Sequence, residues 1–224
     1  LHSIEQFGGR GLRIASSPAL ALSYAPEAVK RYLDEHGKRP FSVDVESSVQ
    51  VISAVETMRA DFGLGAVGQD SPRLNFTPFL RTDVMAIAHR DHPLARRRVV
   101  AVADIAPDTF VKPLWSDYVV AQGDTGDTTQ LDFAMQAHMT LVPGTVRAVK
   151  GISLVNALSA SDIALVYPDL VALPLASRQW FEFVLITRKD AQNQELTGRL
   201  LGALHATAQA RRTGVYADTI QLIG

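Results

Sequence analysis

The sequence contains no cysteine. That removes disulfides, thiolate nucleophiles and Cys-type zinc or iron–sulfur sites together, and it fits a reducing compartment. Nor does either charge dominate: 22 Lys and Arg face 23 Asp and Glu over 224 residues, a formal charge of −1. Holding a nucleic-acid backbone takes clustered positive charge, so this segment is not expected to bind one itself. No run approaches the roughly 18 uninterrupted apolar residues of a membrane span. The most apolar stretch, 151–175, is broken by Asn156, Ser159, Ser161, Asp162, Asp169 and two prolines. The start, Leu1-His2-Ser3-Ile4-Glu5-Gln6, lacks the basic and apolar regions of a secretory leader and has no initial Met. The expectation is a cytoplasmic protein, seen as a fragment or a processed form, with no membrane contact. Catalytic spellings are missing as well. None of the six histidines sits in H-E-x-x-H, and no serine sits in G-x-S-x-G. No metal and no cofactor is expected.

What remains is ordinary globular material, 47% hydrophobic and 20% charged, long enough to bury a core without staples. Leu12 to Ala15 reads as a strand, and Ser16-Ser17-Pro18 opens a helix with Leu22, Ala25, Val29 and Leu33 at helical spacing and Gly37 as its stop. Pro26 either kinks that helix or begins its main part. Phe41 to Val45 is a second strand, and Glu46-Ser47-Ser48 leads into a helix with Val51, Ile52, Val55 and Met58 on one face. Phe62 to Val67 is a third strand. Such alternation predicts βαβ units and a parallel sheet.

Beyond it, strands are predicted at 74–80, 83–89, near 109–111, at 145–149, 163–167 and 181–186. Helices are predicted at 131–138, 151–160 and about 195–212, the last burying Leu196, Leu200, Leu201 and Leu204.

Gly63-Leu64-Gly65-Ala66-Val67-Gly68 spells the dinucleotide fingerprint, but these glycines lie inside the strand and Gln69 to Arg73 cannot open the required helix. The reading adopted is a strand whose small residues allow close approach. His89 and His92 are assigned to a surface loop, and Arg96-Arg97-Arg98 to a solvated face.

The informative feature is positional. Ser16-Ser17 and Ser47-Ser48 each follow a predicted parallel strand and open a helix. Strand carboxyl ends line one crevice in an open α/β sheet, and helix-start N–H groups attract anions there. The two corners would make a carboxylate-sized site; equally, each serine would be an N-cap. Glu46 on the same rim would meet a ligand ammonium or stand exposed. Thr125, Asp127, Thr128 and Thr129, before the helix at 131, would face the cleft from the other half.

Four stretches carry a resemblance to a known family: Gly11-Leu12-Arg13-Ile14-Ala15-Ser16; Met58-Arg59-Ala60-Asp61-Phe62-Gly63-Leu64-Gly65; Phe79 to Ile87 running into His92-Pro93-Leu94-Ala95; and Ser159 to Pro168. Over nearly its whole length the chain resembles the effector-binding domain of LysR-type transcriptional regulators. It departs at Ala60, where that family usually has Gly, and at Ser159, Ser161 and Asp162, where glycines are common.

The resemblance implies an α/β fold like a type 2 periplasmic binding protein, with two α/β subdomains joined by two crossover strands and a ligand cleft between them. Residues 1–10 would be the remnant of a linker, 11–79 and 187–213 subdomain I, 80–186 subdomain II and 214–224 a C-terminal tail. The implied contacts with a small-molecule effector are Ser16, Ser17, Glu46, Ser47, Ser48, Val67, Gly68, Asp127, Thr128, Thr129, Val166 and Tyr167. The implied partners are copies of itself, as dimers and tetramers in the full-length protein, and promoter DNA only through an N-terminal winged helix absent from this chain. The function so implied is sensing, not catalysis. The alternatives are a solute-binding receptor feeding a transporter and, less favoured, a small enzyme using Glu46 and Asp127 as an acid–base pair.

Overall fold

The computed structural model describes residues 11–66, 71–114, 122–123, 133, 135–190, 194–213 and 216–223. Two compact units divide the chain. Unit 1 takes the residues up to Leu80, Glu182–Thr213 and those from Gln221; unit 2 takes Arg81–Phe181 and Gly214–Ile220.

Unit 1 is built on three parallel strands, β1 (Leu12–Ser16), β2 (Phe41–Val45) and β3 (Phe62–Ala66), with β1 in the middle. Two long strands, β4 (Leu74–His89) and β10 (Gln179–Arg188), run through both units. β10 pairs antiparallel with β3, Phe183 opposite Ala66 and Ile186 opposite Gly63. The strand order from the edge is β2, β1, β3, β10, β4 and β11 (Ile220–Leu222). Within the expected tail 214–224, then, lies a paired strand.

The expected helix after Pro18 is two helices, α1 (Pro18–Ala21) and α2 (Tyr24–His36). Leu22 falls at the break and is 65% exposed, so it does not share the buried face. Pro26 is the third residue of α2, where its missing N–H has no intrahelical partner to lose. Gly37 ends α2 at φ +88°, a conformation costly for any side chain.

α3 (Ser48–Glu56) packs Val51, Ala54 and Val55 onto β3. Met58 does not join them; it takes a left-handed φ of 60° and is 58% exposed. Gly63 explains the fit: a Cβ there would lie 2.9 Å from Val51 Cγ1, 3.0 Å from Val55 Cγ2 and 3.1 Å from Ile186 Cβ. The glycine spelling thus serves helix–sheet packing. Ala15, Ala60, Leu74, Val184 and Ile186 complete that cluster, and burying each large side chain contributes about 1.5–3 kcal/mol. α6 (Gln194–Arg211) lies against α2, where Tyr24 donates its hydroxyl to the Leu204 carbonyl at 2.7 Å. Burial drives the Tyr24 phenol pKa upward.

The strands expected at 74–80 and 83–89 are the single strand β4. Its unit 2 half is flanked on both sides by antiparallel partners, β8 (Ile152–Asn156) and β9 (Leu170–Pro174). A parallel pair, β5 (Val111–Leu114) and β7 (Met135–His138), adjoins β8 through a bridge from Phe110 to Ile152, and β6 (Gln122–Gly123) pairs with Gln179 and Trp180.

Between 131 and 167 the predicted elements are displaced. Residues 135–138 are strand, not helix; 145–149 belong to the helix α4 (Val142–Val149); 151–160 hold β8 and then the start of α5 (Ala157–Val166), which also takes up 163–166. Two causes account for this. Pro143 in the first turn starts α4, and Lys150, at a left-handed φ of 51°, ends it. β8 is buried on both faces, Ser153 included, so it shows no alternation by which to tell it from a helix.

Candidate ligand-binding site

The carboxyl ends of β1, β2 and β3 lie level with one another. Ser16 is in register with Val45 and with Leu64. The Ser17 N–H donates to the Leu64 carbonyl at 2.8 Å, and the Glu46 N–H to the Ser16 carbonyl at 3.0 Å. These bonds bring Ser16, Ser17, Glu46, Ser47 and Ser48 to one rim of unit 1. Val67 and Gly68 lie outside the described residues.

The serines there are not equivalent. Ser47 completes a capping box: its hydroxyl accepts from the Gln50 N–H at 3.4 Å, and Gln50 Oε1 accepts from the Ser47 N–H at 3.1 Å and from its hydroxyl at 2.8 Å. Ser48, in the first turn of α3, is buried. Ser16 is fully buried and donates its hydroxyl to the Ser17 carbonyl at 3.2 Å. Ser17 stands at the N-cap of α1 but makes no capping bond, and its buried hydroxyl has no hydrogen-bond partner. A buried hydroxyl without a partner costs roughly 1–3 kcal/mol, so a polar ligand atom there would recover an existing penalty.

Glu46 neither stands alone nor waits for a cation. Arg59 holds its two oxygens at 2.9 and 3.3 Å, and that hydrogen bonding raises the arginine's pKa. The carboxylate's charge is therefore compensated beside the serines. Behind the rim, Asp61 accepts from the Arg13 N–H at 3.0 Å and from its guanidinium at 2.9 and 3.3 Å, while its own N–H donates to the Arg13 carbonyl at 2.8 Å. The carboxylate of the Met58–Gly65 segment thus ties the start of β3 to β1.

In unit 2, Asp127, Thr128 and Thr129 lie outside the described residues. Val166 and Tyr167 sit at the carboxyl end of α5, with Val166 61% exposed and the Arg147 guanidinium 5.4 Å above the Tyr167 ring. The strand terminus that corresponds chemically to the Ser16 corner is Asn156, the last residue of β8 and the N-cap of α5. Its Oδ1 accepts from the Ser159 N–H at 3.0 Å and its Nδ2 donates to the Ser159 hydroxyl at 2.9 Å, both residues being buried. The signal for this corner was present, since an Asn with a Ser three residues on is a helix-start spelling.

The His92-Pro93-Leu94-Ala95 stretch is architectural. His92 caps the 3-10 turn Pro93–Arg96 by accepting the Leu94 N–H on Nδ1 at 3.2 Å, and its Nε2 meets Thr109 Oγ1 at 3.1 Å. Burial lowers the imidazole pKa, with Asp108 pulling the other way. Among the described residues no group of three or more acidic or histidine side chains is placed to hold a metal, and no helix is long and apolar enough to cross a membrane.

Comparison with known proteins agrees with this architecture. The chain is 24% identical over 166 residues to the transcriptional activator protein LysR of Escherichia coli, covering 72% of this chain and 53% of that protein. It is 25% identical over 111 residues to a RuBisCO operon transcriptional regulator of Allochromatium vinosum, covering 50% of this chain and 36% of that protein. The chain thus spans about half of the first relative's length and about a third of the second's. Among solved structures, reduced OxyR from Porphyromonas gingivalis superposes with a TM-score of 0.71 at 17% identity, over 88% of this chain and 93% of that one. The regulatory domain of MetR from N. meningitidis gives 0.68 at 13% identity, over 96% and 100%. The fold is that of LysR regulatory domains, the α/β type 2 periplasmic-binding-protein-like class. The description "LysR substrate binding domain" matches residues 6–209, and the chain belongs to that family.

Proposed function

We propose that this chain is the sensing part of a LysR-type transcriptional regulator, and that it binds a small polar ligand carrying a carboxylate, such as an amino acid or a related acid. The observation that carries the ligand class is the Ser17 hydroxyl, buried without a partner on the rim where β1, β2 and β3 end. An anionic oxygen would accept from it, and backbone N–H groups at the rim favour the same sign of charge. Ser16, Glu46, Ser47 and Ser48 frame the ligand from unit 1; Val67, Gly68, Asp127, Thr128, Thr129, Val166 and Tyr167 are proposed as further contacts. The Glu46–Arg59 pair lets an acid approach that rim without meeting a bare carboxylate. The same pair argues against Glu46 as a free general base, and so for binding over catalysis.

The effector acts by preferring one conformational state over another, and shifts the balance only by its differential affinity. In the full-length protein, dimers or tetramers would carry that shift to promoter DNA through a separate N-terminal domain, in the cytoplasm.

A thermal-shift screen with amino acids, opines, dicarboxylates and aromatic acids tests the reading. A true ligand at a hundredfold its Kd stabilises by about 2.7 kcal/mol. If only apolar compounds shift the melt, the carboxylate proposal fails.

A further inference from the structure

Unit 2 contains a cavity of about 220 Å³ made of none of the rim's residues. Its walls are Asp83, Val84 and Met85 from β4, the segment from Pro174 to Arg178 after β9, and Thr219. The volume is below the roughly 300–1,000 Å³ of sites for drug-sized molecules, so a ligand here is small.

The wall chemistry is divided. Val84, Met85, Pro174, Leu175 and Ala176 supply apolar surface. Opposite in character is one acid–base pair: Arg178 Nε donates to both Asp83 oxygens at 2.9 and 3.1 Å, and a terminal guanidinium nitrogen donates to the Asp218 carbonyl at 3.2 Å. The Asp83 N–H donates to the Thr219 carbonyl at 2.8 Å, which fixes the carboxylate's backbone. The carboxylate is largely covered while the guanidinium is about half exposed, at 17% and 48%. Burial pushes the Asp83 carboxyl pKa up, and the Arg178 hydrogen bond opposes it. The pair therefore does not fully offset the desolvation of its acid.

A group that arrived with one charge would leave the opposite member of the pair poorly matched, which costs most at the covered Asp83 carboxylate. A zwitterion meets both: its carboxylate lies against the guanidinium, its ammonium against Asp83, and an apolar side chain covers Met85 and Leu175. We propose that this cavity is a binding site for a small α-amino acid with an apolar side chain. The proposal does not depend on the function assigned to the unit 1 rim.

Amide NMR spectra of the 224-residue chain titrated with L-leucine test it. Leucine is expected to move the amides of Val84, Met85, Ala176 and Thr219 saturably. 4-Methylpentanoate, which is leucine without its ammonium, and isopentylamine, which is leucine without its carboxylate, are expected to bind there at least tenfold more weakly. Ala176→Trp, at an exposed wall position, fills the space and should abolish the shifts. Arg178→Lys keeps the charge but loses the forked geometry and should weaken binding severalfold. Ser17→Ala should leave these shifts unchanged. The proposal is overturned if leucine moves none of the four amides, if either singly charged analogue binds as well, or if Ala176→Trp and Arg178→Lys both bind as the parent does. Shifts confined to Ser16, Ser17 and Glu46–Ser48 would also overturn it, while supporting the rim as the ligand site.

Discussion

Ser16-Ser17 and Ser47-Ser48 share one spelling: a parallel strand, two serines, a helix. Their chemistry differs. Ser47 spends its hydroxyl and its N–H on Gln50, and the α3 corner is closed on itself. Ser17 opens a helix of only four residues, makes no capping bond and keeps an unpartnered hydroxyl in a buried place. The residue three positions on decides the matter. Gln50 can reach back to its cap, whereas Leu20 cannot. A serine at a helix start is thus a cap where the sequence supplies its reciprocal partner, and a donor in waiting where it does not.

Three measurements would sharpen or break this contrast. The largest effect is expected at Gly63, which lets α3 lie against β3. Gly63→Ala puts a Cβ within 3.1 Å of three branched side chains and should destabilise by about 1–3 kcal/mol, read from the denaturation midpoint. A neutral result would mean that the α3 corner is not anchored there.

The paired variants come next. Ser47→Ala should cost about 1 kcal/mol of stability by removing the capping box, with little effect on ligand affinity. Ser17→Ala should hold stability at the parent's level or raise it by up to about 1–3 kcal/mol, because no bond is lost and an unpartnered buried hydroxyl is removed, yet weaken the screened ligand about tenfold. The reverse pattern would break the comparison outright.

The smallest effect concerns a third cap, His92, which unlike Ser47 can titrate. Its folded pKa is lowered, so the unfolded chain takes up a proton more readily than the folded one. Its contribution is therefore complete above the ordinary histidine pKa of about 6.5, and declines as pH falls through that value toward the folded one. His92→Asn keeps an accepting side chain and should flatten the stability profile between about pH 7 and 5. Equal slopes in the two proteins would remove His92 as a titrating cap.

Unit 1 was the more legible half. Its strands alternate with helices, and Pro18, Gly37 and Ser47 punctuate them by local rules, so β1, β2, β3 and α3 stand close to where the spacing placed them. The family resemblance and the fold class held for a related reason: the Arg13–Asp61 tie and the capped turn at His92 are made of residues near in sequence or fixed by register. The failures have more than one cause, and complete burial is one of them. β8 is buried on both faces, Ser153 included, so it shows no alternation by which to place its boundary with α5. Leu165, within the strand predicted at 163–167, is instead near the end of α5 and 83% exposed. Only the Asn156 cap marked that boundary. The Glu46–Arg59 pair was hidden for another cause, since thirteen residues and a whole helix separate its partners.

The position of β10 bears on how the chain is made. β3 reaches its inner neighbour only when Phe183 to Ile186 arrive, and Tyr24 meets the Leu204 carbonyl later still. Ribosomes add roughly 5–20 residues per second, so β3 would wait on the order of 6–24 s between its own synthesis and that of its partner. Unit 2 is nearly continuous in sequence and has no such delay over Arg81–Phe181. The half with the serine rim is therefore begun first and completed last. During that interval the apolar faces of β3 and α3 lack Val184 and Ile186, and the face of α2 lacks α6.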